Sequence, residues 1–230
     1  MIGVGTSLLF GRRAGKGGSP IPPFNDAMVD AWFMSRLSNV DKPSSIRGVK
    51  GNEMQLKNFV FTSESGFGEG SYEGALVFDG VDDYGICVGL PIMTDYTVIC
   101  RREIINKETG SVASKRTSSS QWDGAFIFER NSQLTGFGQN NYRTIQQDSV
   151  SYMTATSYNG GIISRGSLQD TEYLILGADG FNIDLNRAHG FSNCAIYYFA
   201  LYDKSLTPEE VEEEKVKLEN YWEGGKNELA

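Results

Sequence analysis

Gly74-Ala-Leu-Val-Phe-Asp-Gly-Val-Asp-Asp-Tyr84 is the stretch that says most about the fold of this chain. Its apolar residues predict a short strand over 75–78. Asp79-Gly80 predicts the turn that ends this strand, because Asp and Gly favour tight turns. A second strand is expected over 84–88. The stretch therefore predicts two successive β-strands with a cluster of aspartates at the turn between them.

A second stretch, Ala195-Ile-Tyr-Tyr-Phe-Ala-Leu-Tyr-Asp-Lys-Ser-Leu-Thr-Pro-Glu-Glu210, predicts a long strand that leads into a helix. Thr207 is a good N-cap residue, the proline after it suits the first helical position, and Glu210 completes a capping box. The helix is expected over about 208–222, where Gly224-Gly225 ends it. Its apolar residues share one face, which predicts packing against a sheet.

The composition favours an all-β protein of one domain. The chain has 230 residues, with 27 Gly, 13 Phe and 11 Tyr, and aromatic residues fit pleated strands while Gly supplies turns. Short strand candidates bounded by turn residues recur through the chain, as in a sandwich. We predict a single domain over 24–230. The Gly- and Pro-rich segment 1–23 is either a flexible tail or an arm that holds a homo-oligomer together.

Charge and hydropathy argue against two classes of partner. The formal net charge of −8 disfavours a nucleic acid held through phosphate contacts. No apolar run reaches the roughly eighteen residues of a membrane span. Arg12 and Arg13 follow the apolar N-terminal run, whereas a secretory signal has its positive charge first. We expect neither nucleic acid nor membrane as a partner. Without a secretory signal, the protein either leaves the cell by another route, as a virion component does at lysis, or stays inside.

The two quoted stretches together resemble laminin G-like domains of the concanavalin A-like class. In that family L-x-F-D-G-x-D-D-Y precedes the first long strand, and L-T-P-E-E opens a helix after the last one. The resemblance implies an antiparallel β-sandwich jelly roll with a short C-terminal helix. Such domains serve lectins, adhesion modules and structural proteins alike. The chain also resembles proteins of gut bacteria and of their phages or prophages. This resemblance implies a virion accessory role, and it favours a virion-associated or extracellular location over a cytoplasmic one.

The cysteines are predicted to be free thiols. Cys87, Cys100 and Cys194 form no C-x-x-C pair, and an odd number cannot complete a disulfide framework. Buried thiols are the favoured interpretation. A disulfide between Cys87 and Cys100 stays open, since the sequence does not supply the separation of their Cα atoms.

Asp79, Asp82 and Asp83 are the candidate metal ligands. Three neighbouring carboxylates offer the hard oxygen atoms that Ca²⁺ prefers, and some laminin G-like domains bind Ca²⁺. The alternative is a turn whose aspartates accept hydrogen bonds from nearby backbone N–H groups. Ca²⁺ takes six to eight ligands and the sequence shows no complete binding loop. Ca²⁺ is therefore a possible cofactor, and no other is indicated.

Catalysis is not predicted. A glucanase-type hydrolase uses two carboxylates that flank the scissile bond, and no strand candidate carries a suitably spaced pair. His189 is the only histidine, and no G-x-S-x-G elbow accompanies it. We expect His189 in a turn or at the edge of the sandwich. The prediction is that the protein is not an enzyme, with a glycoside hydrolase as the disfavoured alternative.

Two polar stretches that each contain an aromatic residue are the candidate ligand-binding loops. Their members are Trp122 and Asp123 in one, and Asn140, Asn141, Tyr142 and Arg143 in the other. An aromatic ring stacks on a sugar ring, while amides and cations hydrogen-bond to its hydroxyls. The same residue types are also ordinary in loops. We predict a carbohydrate-recognising binding or adhesion module, with a glycan or a protein surface as partner. A purely structural assembly protein is the alternative.

Overall fold

The computed structural model of the protein describes residues 21–106, 110–117, 124–146, 148–167 and 169–229. Within them the chain forms strands, a short 3₁₀ helix over Gly70–Tyr72 and one α-helix, α1, over Pro208–Leu229. The strands are β1 (Met28–Phe33), β2 (Ser45–Arg47), β3 (Glu53–Lys57), β4 (Gly66–Phe67), β5 (Leu76–Asp79), β6 (Tyr84–Cys87), β7 (Thr97–Asn106), β8 (Ser111–Arg116), β9 (Gly124–Arg130), β10 (Gln133–Gly136), β11 (Gln139–Tyr142), β12 (Asp148–Thr154), β13 (Ser157–Tyr158), β14 (Gly161–Ile162), β15 (Leu174–Leu176), β16 (Ala178–Asn182), β17 (Arg187–Phe191) and β18 (Asn193–Tyr202). No helix among the described residues is long and apolar enough to cross a membrane.

All strands except β16 and β17 belong to two antiparallel sheets that pack face to face. The first sheet has the order β14-β13-β12-β7-β18-β5-β4, and β1 also pairs with β18. The second sheet has the order β11-β10-β9-β8-β15-β6-β3-β2. Their facing side chains form the main core, which includes Trp32, Phe78, Phe126 and Phe199. The predicted all-β sandwich with a single C-terminal helix is confirmed.

The central strand of the first sheet is β18, and it joins the two stretches that predict the fold. The beginning of β18 pairs with β5, so that Asn193 lies opposite Asp79. The end of β18 pairs with β1, and β7 runs along its other side. Every residue from Cys194 to Tyr202 is buried, because one face of β18 meets the second sheet and the other meets α1.

The helix α1 begins where the sequence predicts. The Glu210 backbone N–H donates to Thr207 Oγ1 at 3.2 Å, and the Thr207 N–H donates to Glu210 Oε2 at 2.8 Å, which confirms the capping box. The apolar face of α1 packs on the outer side of the first sheet, with Val211, Leu218 and Trp222 buried.

The predicted end of α1 is wrong, because the helix continues through Gly224-Gly225 to Leu229. Gly225 is buried against the segment after β1, where an added Cβ would lie 2.5 Å from Ser35 Oγ. The Ser35 hydroxyl also donates to the Trp222 carbonyl at 2.9 Å. Glycine at this position therefore permits close packing and does not end the helix.

A hairpin of β16 and β17 covers part of the outer face of the second sheet. Gly177 has a φ of 76° and reverses the chain after β15. A Cβ on Gly177 would lie 2.1 Å from Phe78 Cδ1, so only glycine fits there. The Ser114 hydroxyl then fastens the hairpin to β8 by donating to the Ala178 carbonyl at 3.0 Å.

Two other predictions concern the three cysteines and the N-terminal segment 1–23. All three cysteines are free and buried, as predicted, and burial raises the pKa of the Cys87 thiol to about 11. The open alternative of a disulfide between Cys87 and Cys100 does not occur. Most of the predicted segment 1–23 lies outside the described residues, which begin at Ile21, so its role as tail or arm stays a prediction.

Candidate functional site

A groove runs along the outer face of the second sheet, beside the β16–β17 hairpin. Two adjoining pockets of about 420 and 540 Å³ form this hairpin groove. Tyr84 and Asn186 line both pockets, so the two pockets adjoin at these residues. The groove therefore lies between β3 and β6 of the sheet on one side and the hairpin turn on the other.

Aromatic rings in a row form the floor of the hairpin groove. Tyr173 stacks on Phe181 with ring centroids 5.6 Å apart and planes 14° from parallel. Tyr84 lies 6.5 Å from Phe181 and 6.3 Å from Phe191. Alternation along β6 places Tyr84 and Ile86 on this outer face, while Cys87 faces the main core. Tyr173 and Phe191 are only half-buried, so part of each ring faces the groove.

Amide and charged side chains form the walls of the hairpin groove. Gln55 and Lys57 on β3 line one pocket, and Asn58, Asp82 and Arg187 line the other. The Asn58 amide donates to the Asp82 carbonyl at 2.8 Å, which ties the end of β3 to the aspartate turn. The wall residues are largely exposed. The groove thus combines an apolar floor with hydrogen-bonding groups at its edges.

Asn186 occupies a turn position that suits its residue type. Its φ is 47°, in the left-handed region that asparagine tolerates better than most residues. Its backbone N–H donates to the Ile183 carbonyl at 3.2 Å. This turn between β16 and β17 places Asn186 at the lining of both pockets.

His189 lies on β17 and lines the larger pocket. Burial lowers the pKa of His189, the nearby Arg116, Arg130 and Arg187 lower it further, and Asp179 opposes them. The imidazole is therefore neutral at pH 7. Its Nε2 atom is buried and has no hydrogen-bond partner among the described residues. His189 is thus a neutral hydrogen-bonding group beside the groove.

The aspartates predicted as metal ligands lie together at one end of the hairpin groove. Carboxylate oxygens of Asp79, Asp82 and Asp83 are all within 4.8 Å of one another. Asp79 Oδ1 accepts hydrogen bonds from the N–H groups of Val81 at 2.8 Å and Asp82 at 3.3 Å. The turn interpretation therefore accounts for Asp79. The cluster supplies three of the six to eight ligands that Ca²⁺ takes, and Ca²⁺ binding stays a prediction.

Asp83 differs from its two neighbours because it is fully buried. Its Oδ2 atom accepts a hydrogen bond from the Asp79 N–H at 3.2 Å. Burial raises the pKa of this carboxyl to about 6, and hydrogen bonds from Ser65 and Asp79 limit the shift. Ionisation of Asp83 is therefore less favourable in the folded protein than in the unfolded chain.

The residues predicted to bind a ligand lie elsewhere. Trp122 and Asp123 are outside the described residues. Asn140, Asn141 and Tyr142 belong to the edge strand β11, which corrects the prediction of a loop. Asn141 is buried and exchanges hydrogen bonds of 2.8 Å with the backbone of Ser164. Tyr142 is 69% exposed, beside Arg143, which donates to the Ile162 carbonyl.

The residues predicted to bind a ligand and the residues of the hairpin groove do not form one site. Strand β11 is one edge of the second sheet, whereas β3 and β6 lie near its other edge. The sequence did not predict a binding role for the groove residues Tyr84, Tyr173, Phe181, Asn186 and Phe191. One signal was present: Tyr84 and Cys87, on opposite faces of β6, are both apolar, which is typical of a strand covered on both sides.

No protein-family model and no curated protein matches the chain. Among solved structures, Trypanosoma rangeli sialidase in complex with sialic acid is similar to it, with a TM-score of 0.53 and 11% identity over 89% of this chain and 35% of the sialidase. The binding domain of botulinum neurotoxin serotype D/C has a TM-score of 0.50 and 8% identity over 84% of this chain and 52% of that domain. The chain thus spans about a third to a half of these structures, and the similarity shows the fold alone.

The prediction that the protein is not an enzyme is wrong. It rested on the absence of a catalytic motif along any one strand. The structures that share the fold include sialidases, which are enzymes. The physical reason is that carboxylates on different strands can converge in a folded sandwich. A missing motif along one strand therefore excludes no catalytic site.

Proposed function

We propose that the protein binds carbohydrate in the hairpin groove. The observation that carries this proposal is the row of aromatic rings beneath walls of amide and charged side chains. Sugar rings present apolar C–H faces that stack on aromatic rings, and their hydroxyls pair with amides and charged groups. The two pockets, of about 420 and 540 Å³, lie within the usual size range of ligand sites.

The shape of the groove favours an oligosaccharide over a single sugar. Its two pockets share Tyr84 and Asn186, so one ligand chain can occupy both. Lys57 lines the smaller pocket, and both Arg187 and Asp82 line the larger pocket. This mixture of charges favours recognition through hydroxyls over recognition of one strongly charged group.

The comparisons support the class of ligand. The sialidase with a similar fold is in complex with sialic acid, so at least one protein that contains this fold binds a sugar. The predicted module that recognises a glycan is consistent with this. The groove, and not the predicted β11 edge, is the surface to which we assign the binding.

The experiment is a glycan-array screen of the full chain, with and without Ca²⁺. Asn186→Gly removes an amide from both pockets and keeps the left-handed backbone, because glycine adopts positive φ freely. Arg187→Ala removes an exposed cation from one pocket. Tyr142→Ala is the matched control, since Tyr142 is an exposed aromatic residue at the opposite edge of the same sheet.

We expect a specific glycan signal that weakens about tenfold in the groove variants, as the loss of a hydrogen bond to a bound ligand implies. The Tyr142→Ala control should bind as the unchanged protein does. Loss of binding in Tyr142→Ala alone would move the site to the β11 edge. Absence of any signal from the folded protein, with or without Ca²⁺, would overturn the proposal.

A further inference from the structure

The two pockets of the hairpin groove differ in chemical character. The larger pocket carries side chains that form hydrogen bonds or bear a charge, namely Asn58, Asp82, Asn186, Arg187 and His189. In the smaller pocket most of the described lining residues are aliphatic or aromatic, namely Tyr84, Ile86, Val88, Tyr173, Phe181 and Ile183. Among the described residues, the groove is therefore polar at one end and mostly apolar at the other.

Two aliphatic residues of the smaller pocket are accessible to a ligand. Val88 is 52% exposed and Ile183 is 51% exposed, so the folded chain leaves about half of each uncovered. Val88 follows β6, whereas Ile183 follows β16, and yet both line the same pocket. They are thus neighbours in one concave surface and not scattered exposed residues. Exposed apolar side chains grouped at a groove are typical of a surface that binds an apolar group.

The aromatic floor of the smaller pocket suits the same kind of group. Tyr173 stacks on Phe181 and is itself only half-buried, so part of its ring is accessible. Aromatic rings attract other rings in offset-stacked or edge-on arrangements. The pocket has a volume of about 420 Å³, whereas an engineered cavity of about 150 Å³ holds benzene. The smaller pocket is therefore large enough for a phenyl ring or a short alkyl chain.

A sugar unit with free hydroxyls is a poorer match for the smaller pocket. Its hydroxyls need new hydrogen-bond partners once they leave water, because an unpaired buried hydroxyl costs free energy. The side chains of Val88 and Ile183 neither donate nor accept hydrogen bonds. A ligand that places an apolar group against them keeps its hydroxyls in the larger pocket or in water, where partners are present.

The contrast between the two pockets specifies the class of saccharide. We propose that the ligand of the hairpin groove is a glycoside with an apolar group, aromatic or aliphatic. This group occupies the smaller pocket, and the sugar unit that bears it occupies the larger one. Tyr84 and Asn186 line both pockets and mark the place where the two parts of the ligand join. The inference rests on the proposed carbohydrate binding and makes its ligand more specific.

The experiment compares matched glycosides by titration calorimetry on the full chain. Methyl, phenyl and hexyl β-glycosides are used for each of glucose, galactose and N-acetylglucosamine, so that only the apolar group changes within a series. The double variant Val88→Thr/Ile183→Thr makes the aliphatic wall polar at two exposed positions. Val216→Thr, at an exposed position on α1, is the matched control. Arg187→Ala alters the larger pocket.

We expect the phenyl or the hexyl glycoside to bind about tenfold more tightly than the methyl glycoside in at least one series, as burial of about 60 Å² of apolar area implies. A larger gain for phenyl assigns an aromatic group to the smaller pocket, and a larger gain for hexyl assigns an aliphatic one. The double variant should reduce this gain about threefold or more. Val216→Thr should keep it in full. Arg187→Ala should weaken all members of a series by the same factor and so keep the gain.

Two results would overturn this inference. One is that the phenyl and hexyl glycosides bind no more tightly than the methyl glycosides in every series. The other is that the double variant keeps the full gain, because the apolar group would then lie outside the smaller pocket. Either result, together with a specific signal on the glycan array, would leave the proposed function intact. Absence of binding in both experiments would overturn the proposed function as well.

Discussion

Arg102 on β7 and Glu129 on β9 form an ion pair that joins the two sheets, with both side chains fully buried. Two hydrogen bonds connect them. Burying charges in this way costs much solvation free energy, so the pair is tolerated only because each group is paired and further hydrogen-bonded. The pair fixes how β9 lies against β7.

Replacing Arg102 alone should therefore destabilise the protein strongly. Arg102→Met leaves the Glu129 carboxylate buried without its cation, and we expect a loss of about 3–5 kcal/mol in the free energy of unfolding. The double variant Arg102→Met/Glu129→Met should recover much of this loss. Urea unfolding measures all three proteins. Arg101→Met, which breaks a partly exposed pair with Glu219, is the control and should cost about 1 kcal/mol or less. A double variant no more stable than the single one would contradict the argument.

The local signals in the stretches 74–84 and 195–210 were sufficient to predict the type of fold. The Asp79-Gly80 turn and the capping box of Thr207 and Glu210 depend on residues within a few positions of one another. Their strands then prove to be neighbours, since β5 pairs with β18. Such contacts are predictable because backbone preference and hydrogen bonding act over short sequence distances.

Features that depend on distant contacts were not predictable. The chain reversal at Gly177 requires glycine because the ring of Phe78, far away in the sequence, leaves no room for a Cβ. The hairpin groove exists only because that reversal lays β16 and β17 over Tyr84. Glu129 reads as an ordinary strand residue, and its partner Arg102 comes from the other sheet. Sequence spacing therefore predicts neither the contact of Gly177 with Phe78 nor the ion pair of Arg102 with Glu129.

Gly225 provides a test of close packing against helix propensity. Gly225→Ala adds a Cβ at 2.5 Å from Ser35 Oγ and 2.9 Å from Arg36 Cγ. We expect this variant to be less stable, by about 1–3 kcal/mol as for other overpacked sites, although alanine favours helices. Gly224→Ala, in the same turn, should instead be neutral or stabilising by up to about 1 kcal/mol. Thermal unfolding distinguishes the two. A stabilised Gly225→Ala would show that glycine is not required for packing there.

The capping box should contribute measurably to the stability of α1. Thr207→Ala removes the acceptor of the Glu210 N–H, and we expect it to cost about 1 kcal/mol. Thr207→Ser keeps a hydroxyl and is the control, with little change expected. Chemical denaturation followed by circular dichroism measures both. Equal losses in the two variants would assign the effect to the threonine methyl group and not to the cap.

The same capping box predicts a contribution to the free energy of unfolding that disappears at acid pH. The Thr207 N–H and then Lys204 lower the pKa of Glu210 below its ordinary value of 4.5. A carboxyl with a lowered pKa in the folded state stabilises the protein above the pKa of the unfolded state, and this stabilisation disappears as the pH falls through the folded pKa. Glu210→Gln should therefore be less stable than the unchanged protein at pH 7 and equally stable near pH 3. A constant difference across this range would contradict the assignment.

The raised pKa of Asp83 predicts a pH dependence of the opposite sign in the free energy of unfolding. Burial raises its pKa from 3.8 to about 6, so above pH 6 the folded protein bears the full cost of a buried charge. As the pH falls from about 6 towards 3.8, the folded state takes up a proton that the unfolded state does not, and the cost disappears. With a chelator present to remove Ca²⁺, Asp83→Asn should stabilise the protein at pH 7 by up to about 3 kcal/mol and lose that advantage near pH 4. The exposed neighbour variant Asp82→Asn should show no such change. An advantage of Asp83→Asn that is equal at both pH values, measured by urea unfolding, would contradict the raised pKa of Asp83, because it requires the same pKa in the folded and unfolded states.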